Sequence, residues 1–344
     1  MMKYAIIDLG FGSSGKGLLS GFLAKRRKPD VVVHAFGPNS GHTYISESGR
    51  KLIHRMVGLG VVSPNLKHHL IGPGAVVDLD ILFAETFHCM DLMNGANIYI
   101  HENATILQDH HVITESSLVK IGSTMKGTSA AMIEKINRDE SAKILAKHFK
   151  HSIGIRAADL DLPISVIGRN DYKNIVENAK VLQIEGCQGH SLGLSSGFWP
   201  HVTSRECSTN QLLSDCWLPP ELDEVIGCAR TYPIRVANRL DGEGKMIGWS
   251  GPCYPDQKEI SFDSIGVEPE YTTVTKLPRR VFTFSEEQIA ESIWLSGCTS
   301  VALCFSNYCS NSELSRIESI VNKYAKVKWK TWGPSDNHVT EEAQ

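Results

Sequence analysis

No stretch of about 18 apolar residues occurs anywhere, so no segment reads as a membrane-spanning helix. The apolar run near the N-terminus, Ala5 to Leu9, is broken by Asp8 and ends in glycines. It is too short for the apolar core of a secretory leader. An excess of one charge is also missing. Lys+Arg number 35 against 38 Asp+Glu, a net charge of −3, so nothing advertises duplex nucleic acid as a partner. The nine cysteines are odd in number and include no Cys-x-x-Cys pair, which argues for reduced thiols in a cytosol over a disulfide framework or a zinc site. Internal repeats and low-complexity linkers are lacking as well. What remains is a globular composition, 42% hydrophobic and 21% charged over 344 residues, ample for a large core. The histidine doublets His68-His69 and His110-His111 read as poor chelates, because neighbours on a strand face opposite ways.

The periodicity predicts alternating strands and helices. Lys3–Leu9 reads as a buried strand, followed by a glycine loop and a helix over Lys16–Arg27 with Leu18, Leu19, Phe22 and Leu23 on one side. Val31–Phe36, Lys51–His54, His68–Ile71, Ile98–Ile100, Val181–Ile184, Val225–Arg230, Val281–Phe284 and Ser300–Phe305 read as strands. Helices are expected at Asp80–Met93, Ser129–Phe149, Ser285–Leu295 and Glu313–Tyr324. The fold class is α/β, with a mainly parallel central sheet flanked by helices and ligands beyond the carboxyl ends of the strands.

Gly10-Phe11-Gly12-Ser13-Ser14-Gly15-Lys16 fits G-x-x-x-x-G-K, a phosphate loop between the first strand and the first helix. Backbone N–H groups and the helix N-terminus converge there on an anion, and Lys16 adds a point charge. Gly17 stands where a Walker loop carries the Ser or Thr that binds magnesium, so the match is incomplete. A second polar loop, Gly37 to Thr43, also follows a strand. Asp215 and Glu206 show no motif and read as surface residues.

Gly12-x-x-Gly15-Lys16-Gly17, followed by Asn39-Ser40-Gly41-His42-Thr43, resembles adenylosuccinate synthetase, which has G-D-E-G-K-G and then N-A-G-H-T at the same separation. The likeness continues. Ile121 to Gly127 resembles I-G-T-T-G-R-G, with Arg138 at the matching distance downstream. Glu185-Gly186-Cys187-Gln188-Gly189 resembles E-G-A-Q-G, and Trp199 to Ser204 resembles Y-P-Y-V-T-S. Thr273-Val274-Thr275 with Pro278-Arg279-Arg280 resembles the family's threonine/arginine loop, although Lys276 stands where the family has glycine. Trp332-Gly333-Pro334-Ser335-Asp336 resembles T-G-P-D-R.

The resemblance implies a single catalytic domain over 1–344 and a P-loop-like adenylosuccinate synthetase fold. It also implies a C–N ligase that phosphorylates O6 of a purine monophosphate and then displaces that phosphate with L-aspartate. Ser13, Lys16, His42 and Gln188 would be catalytic. Gly12, Gly15, Lys16, Gly17, Gly41, Thr43, Asn307, Gly333 and Pro334 would hold the donor nucleotide. Ser13, Asn39, Ser123, Thr124, Arg138, Gln188 and Thr203 would hold the purine monophosphate. Thr273, Thr275, Arg279 and Arg280 would hold aspartate. Mg²⁺ would meet Ser13 and the Gly41 carbonyl, and Arg138 would reach the partner subunit's site in a homodimer. Neither nucleic acid nor a membrane is expected as a partner.

Two departures carry information. The family's catalytic aspartate, which takes the N1 proton of hypoxanthine, falls at Ser13. A guanine base carries an exocyclic amine beside N1, which a carboxylate would crowd and a shorter hydroxyl can accept from. The family's T-K-L-D, which reads the guanine of its donor, falls at Cys304-Phe305-Ser306-Asn307. An amide at Asn307 suits adenine. Both departures are features of the family's bacteriophage branch, the 2-aminoadenylosuccinate synthetases. That likeness implies dGMP, L-aspartate and ATP or dATP as substrates, diaminopurine DNA as destination, and a bacterial host's cytoplasm as location. The alternatives are adenylosuccinate synthetase proper, on IMP with GTP, and a catalytically silent nucleotide-binding paralogue.

Overall fold

The computed structural model describes residues 1–115, 124–271 and 277–342. One ten-stranded sheet organises the molecule. Its strands are β1 (Met2–Asp8), β2 (Val31–His34), β3 (His68–Ile71), β4 (Asn97–His101), β5 (Ile164–Ile167), β6 (Val181–Glu185), β7 (Glu224–Arg230), β8 (Ser300–Cys304), β9 (Lys326–Thr331) and β10 (Val339–Glu341). Their spatial order is β10-β9-β8-β7-β1-β6-β2-β3-β4-β5. Every pairing is parallel except β9 with β10.

Parallel strands covered on both faces need continuous apolar runs, and β1, β2 and β8 supply them: Tyr4 to Ile7, Val31 to Val33 and Val301 to Leu303 are all buried. Helix α1 (Lys16–Arg27) buries Leu18, Leu19, Phe22 and Leu23 and places Lys25, Arg26 and Arg27 in its last turn, where they complement the helix dipole. The chain works outward from β2 to β5, returns to β6 beside β1, and then builds β7, β8 and β9 on the other side. The crevice at the carboxyl ends of β1, β6 and β7 is therefore the topological switch point. A hairpin, His42–Ile45 with Lys51–His54, packs on α1. A small antiparallel sheet of Ile234–Arg235, Arg280–Phe282 and Glu259–Ile260 has its own core of Ile234, Phe262 and Val281.

Three expectations need correction. The helix expected over Ser129–Phe149 is Thr128–Asn137 only. It stops where Arg138 turns left-handed at φ 55°, and the chain then bends through an Asp139 turn whose carboxylate accepts from the Ser141 N–H and Oγ–H. His110 and His111 lie on a helix, Asp109–Glu115, rather than a strand, and both Nε2 atoms lie 2.7 Å from one Glu134 oxygen. This trio has the spacing of a metal site, yet His111 Nδ1 accepts from the Gln108 N–H, which leaves the proton on Nε2 and makes the trio a hydrogen-bonded clamp. Asp215 and Glu206 are not free surface acids. Asp215 pairs with Arg205 at 3.2 Å, and Glu206 accepts from the N–H groups of Ser195, Ser196 and Cys207.

Candidate active site

The loop after β1 is built around a carboxylate of its own. Asp8 Oδ1 accepts from the Gly10 N–H (2.9 Å), the Gly12 N–H (3.2 Å) and the Ser14 hydroxyl (3.0 Å). Its Oδ2 accepts from the Ser14 N–H (3.1 Å) and from Lys16 Nζ (2.8 Å). Half of the loop amides thus face inward, onto a side chain that is entirely buried. A donor phosphate can meet the outward groups: the amides at the start of α1, which have no partner within the helix, and the remaining donor of Lys16. Lys16 also donates to the Gln188 carbonyl at 2.7 Å, which ties the β1 loop to the loop after β6.

Gly17 has a steric reason to replace the Walker Ser or Thr. A Cβ there would lie 2.6 Å from the Thr43 carbonyl oxygen and 2.7 Å from its nitrogen, so the helix start and the hairpin can approach only without a side chain. Gly189 is similarly confined, since a Cβ would collide with the Gly10 carbonyl and the Gly12 nitrogen. Ser13 (φ 56°) and Gln188 (φ 59°) both hold left-handed backbone, a conformation that non-glycine residues keep only where the surroundings impose it. Ser13 is exposed at the loop tip, and its carbonyl accepts from Arg230 Nη1 at 3.2 Å.

His42 lies beside this loop, buried, with its ring stacked on Phe36 at 4.4 Å and 10°. Burial, with Lys16 and His54 nearby, pushes its pKa down to about 3, so the imidazole is neutral at ordinary pH. Its Nε2 is buried without a partner among the described residues. Asn39 donates to the Thr203 hydroxyl at 3.5 Å, bringing two expected monophosphate ligands together. Thr124 lies in the segment leading into the helix Thr128–Asn137, and Ser123 lies outside the described residues. Arg138 caps that helix, exposed, its backbone N–H donating to the Lys135 carbonyl at 3.2 Å.

On the other side, Arg230 at the end of β7 is sandwiched. Its guanidinium lies 3.5 Å from the Phe305 ring centre and pairs with Glu270, which also accepts from the Tyr308 hydroxyl at 3.0 Å. Asn307 is exposed in the short turn Ser306–Tyr308 just beyond β8. The Phe305 N–H donates to Thr331 Oγ1, which sets this turn beside the segment carrying Gly333 and exposed Pro334. That segment is in turn tied to α1 and the hairpin, through Asp336 with Lys25 (2.8 Å) and with the Tyr44 hydroxyl (2.6 Å). The two expected donor-base elements are therefore neighbours.

Of the expected aspartate residues, Thr273 and Thr275 lie outside the described residues. Arg279 is half-buried, and burial lowers its pKa, offset in part by Glu270. Arg280 is committed to protein groups, with two bonds to Glu259 (2.8 and 2.6 Å) and others to Ser250 Oγ and the Gly251 carbonyl.

Sequence reasoning missed Asp8, Arg230 and Arg235. Asp8 looked like an interruption of an apolar run. Its signal is a carboxylate at the last position of a buried strand entering a glycine loop. Arg235 is 2% exposed, donates to the carbonyls of Ser250, Pro252 and His201, and stacks on Phe11 at 4.4 Å. Burial, with Arg280 nearby, lowers its pKa to about 10. Nothing in its sequence neighbourhood marks it. For a magnesium ion, the candidate protein groups are Ser13 Oγ and the Gly41 carbonyl, both on exposed residues at the cleft. Two neutral oxygens suit an ion held mainly by water and phosphate oxygens.

The chain is similar to known proteins over nearly all of its length. The family model for adenylosuccinate synthetase matches residues 5–153 and 167–337. A relative from Acinetobacter phage SH-Ab 15497, an N6-succino-2-amino-2'-deoxyadenylate synthase, is 46% identical over 98% of this chain and 93% of its own length. The structure of the cyanophage S-2L succinoaminodeoxyadenylate synthetase PurZ, bound to dGMP and dATP as energy donor, superposes with a TM-score of 0.90. It is 37% identical and is matched over 100% of this chain and 97% of that one. The fully ligated Plasmodium falciparum adenylosuccinate synthetase, 17% identical with a TM-score of 0.75, shares the fold over the full length of both chains. With a matching loop after β1, a matching hairpin and a family model covering nearly the whole chain, the protein belongs to the adenylosuccinate synthetase family.

Proposed function

We propose that this chain joins L-aspartate to C6 of dGMP, using ATP or dATP, through a 6-phosphoryl purine, to give 2-amino-2′-deoxyadenylosuccinate for diaminopurine DNA. The names of its phage relatives, at 37–46% identity, state the same product, and one of their structures binds dGMP and dATP. The observation that carries the reading within this chain is Ser13. It stands exposed at the tip of the phosphate loop, held there by Arg230, in the place of the family's aspartate.

In this reading the Ser13 hydroxyl accepts from the C2 amine of guanine, which an aspartate would crowd. The N1 proton leaves to a water held by Ser13 or to a carboxylate of the substrate aspartate. Neutral His42 donates from its unpartnered nitrogen to O6 as charge develops there, as a hydrogen-bond donor rather than an imidazolium acid. Lys16 and the amides opening α1 receive the donor phosphates, with Gly12, Gly15, Gly41 and Thr43 lining them. A magnesium ion at Ser13 and the Gly41 carbonyl would neutralise phosphoryl charge. Asn307 reads the adenine edge, with Gly333 and Pro334 beside it. Asn39, Ser123, Thr124, Gln188 and Thr203 hold the monophosphate. Arg279 and Arg280, with Thr273 and Thr275, take the aspartate carboxylates.

We also place the chain, as one catalytic domain, in a homodimer and in the host cytoplasm. Ile133 and Ile136 are exposed on the helix that Arg138 caps, an apolar face suited to a partner subunit. Among the described residues, no helix is long and apolar enough to cross a membrane.

The test is phosphate release with L-aspartate and Mg²⁺, comparing dGMP, GMP, IMP and dIMP with ATP, dATP or GTP. Turnover confined to dGMP with an adenine donor is expected. Turnover only with IMP and GTP would make this an adenylosuccinate synthetase proper, and none with any pair would leave a silent nucleotide-binding protein.

A further inference from the structure

We propose that Asp8 is a positioning residue of the phosphoryl step. Its buried carboxylate fixes Lys16 and the Gly12–Ser14 turn in the geometry that receives the donor, in place of an anion supplied by the ligand. The inference rests on the function proposed above.

The hydrogen-bond inventory supports it. A carboxylate offers about four lone-pair sites, and Asp8 has five donors within 3.2 Å. A carboxylate so saturated is not free to take the N1 proton or to bind a metal ion. Its whole accepting capacity goes to the loop. Three donors are amides or a hydroxyl of Gly12 and Ser14, the residues that flank Ser13, so Asp8 sets the exposed Ser13 tip from beneath. The Lys16 ammonium is the ionic donor, and its second contact is the Gln188 carbonyl. Lys16 is faced by Asp8 from β1, by neutral His42 from the hairpin, and by the thiols of Cys187, Cys207 and Cys228, which burial keeps protonated. Asp8 is thus the charge in that set opposite Lys16. A lysine side chain loses rotamer entropy when its head is fixed, and here that loss is taken before any substrate binds.

Asp8→Asn tests the idea. The amide keeps one accepting oxygen, but its NH₂ must face either the Ser14 N–H and Lys16 or the Gly10 and Gly12 amides, so one side of the constellation loses its acceptor, and Lys16 loses its counter-charge either way. The expected result is a kcat lower by at least about tenfold, with KM for dGMP and L-aspartate changed by less than about threefold. A D8N enzyme within twofold of the parent in kcat would overturn the proposal. If D8N does not fold, the pair is read through stability. K16M, left with a buried carboxylate that has lost its cation, should melt below D8N/K16M, and equal melting would overturn the proposal. If the parent enzyme releases phosphate with no substrate pair, the functional reading fails by itself. Asp8 is then judged by calorimetric binding of ATP and dATP, where D8N should weaken affinity at least about tenfold and unchanged affinity would refute the proposal.

Discussion

Acidification should unfold this protein well above the pH at which carboxylates titrate, and the cause is a buried row of histidines. His34, His42, His54 and His69 are each at most 5% exposed, and burial depresses all four. The folded-state values are about 3 for His42 and His69 and about 4 for His54, with His34 well below the ordinary 6.5. Because the folded values lie below the unfolded one, this stability is fully present above about pH 6.5 and is lost as pH falls toward 3–4. Each residue takes up its proton only on unfolding. Between pH 7 and pH 5 that costs ~2 kcal/mol for each of His42, His54 and His69, ~6 kcal/mol together, and His34 acts in the same direction. Glu85 and Glu185 work in the opposite sense, since burial raises both and they keep protons in the folded state that the unfolded chain releases. They trim the loss, which is set against a whole stability of roughly 5–15 kcal/mol for a domain. Urea unfolding followed at pH 7, 6 and 5 without ligand measures it. His69→Gln keeps an acceptor for the Gly58 N–H, which His69 Nε2 now takes at 3.0 Å, and should recover ~2 kcal/mol of the pH-dependent loss. A total fall below ~2 kcal/mol, or an H69Q slope equal to the parent's, would refute the reasoning.

Three further outcomes follow from other parts of the molecule. Gly17→Ala drives a methyl into the Thr43 backbone and should lower stability by ~2–3 kcal/mol in thermal melts; a variant as stable as the parent would mean the hairpin is not seated as described. Ser13→Asp should gain turnover of IMP or dIMP and lose at least about tenfold in kcat/KM for dGMP, whereas unchanged preference would remove Ser13 from base selection. If Arg138 serves the partner's site, mixing inactive Arg138→Ala with inactive K16M should regenerate about a quarter of the parental sites by random pairing. No regained activity would place Arg138 in its own subunit's site.

The residues that carry local signals were legible in the sequence. The β-branched run Val31–Val33, the strand–loop–helix around Lys16 and the Ser285 cap all form as their patterns dictate. The failures have physical causes. Hydrophobic periodicity runs through Arg138 as though the helix continued, because a left-handed cap changes the chain's direction without changing the pattern of side chains. His110-His111 carries no clue to helix or strand by itself. The loop glycines were correctly read as bringing amides together, but not that three of those amides would be taken by Asp8, since only the folded loop reveals which way each N–H points. Nor does the Arg279-Arg280 motif say that the Arg280 guanidinium bonds Glu259, 21 residues away.

The position of β1 also bears on how the chain is made. Its two neighbours are β6 and β7, which begin at Val181 and Glu224, and the loop that Lys16 grips through the Gln188 carbonyl comes after β6. Roughly 170 residues separate β1 from the earlier of these two neighbours, so it has no sheet to join for about 10–35 s at ordinary elongation rates. An apolar segment waiting so long is a natural client for a chaperone. A nascent chain stopped before β6 should hold no nucleotide, however complete its phosphate loop looks on paper.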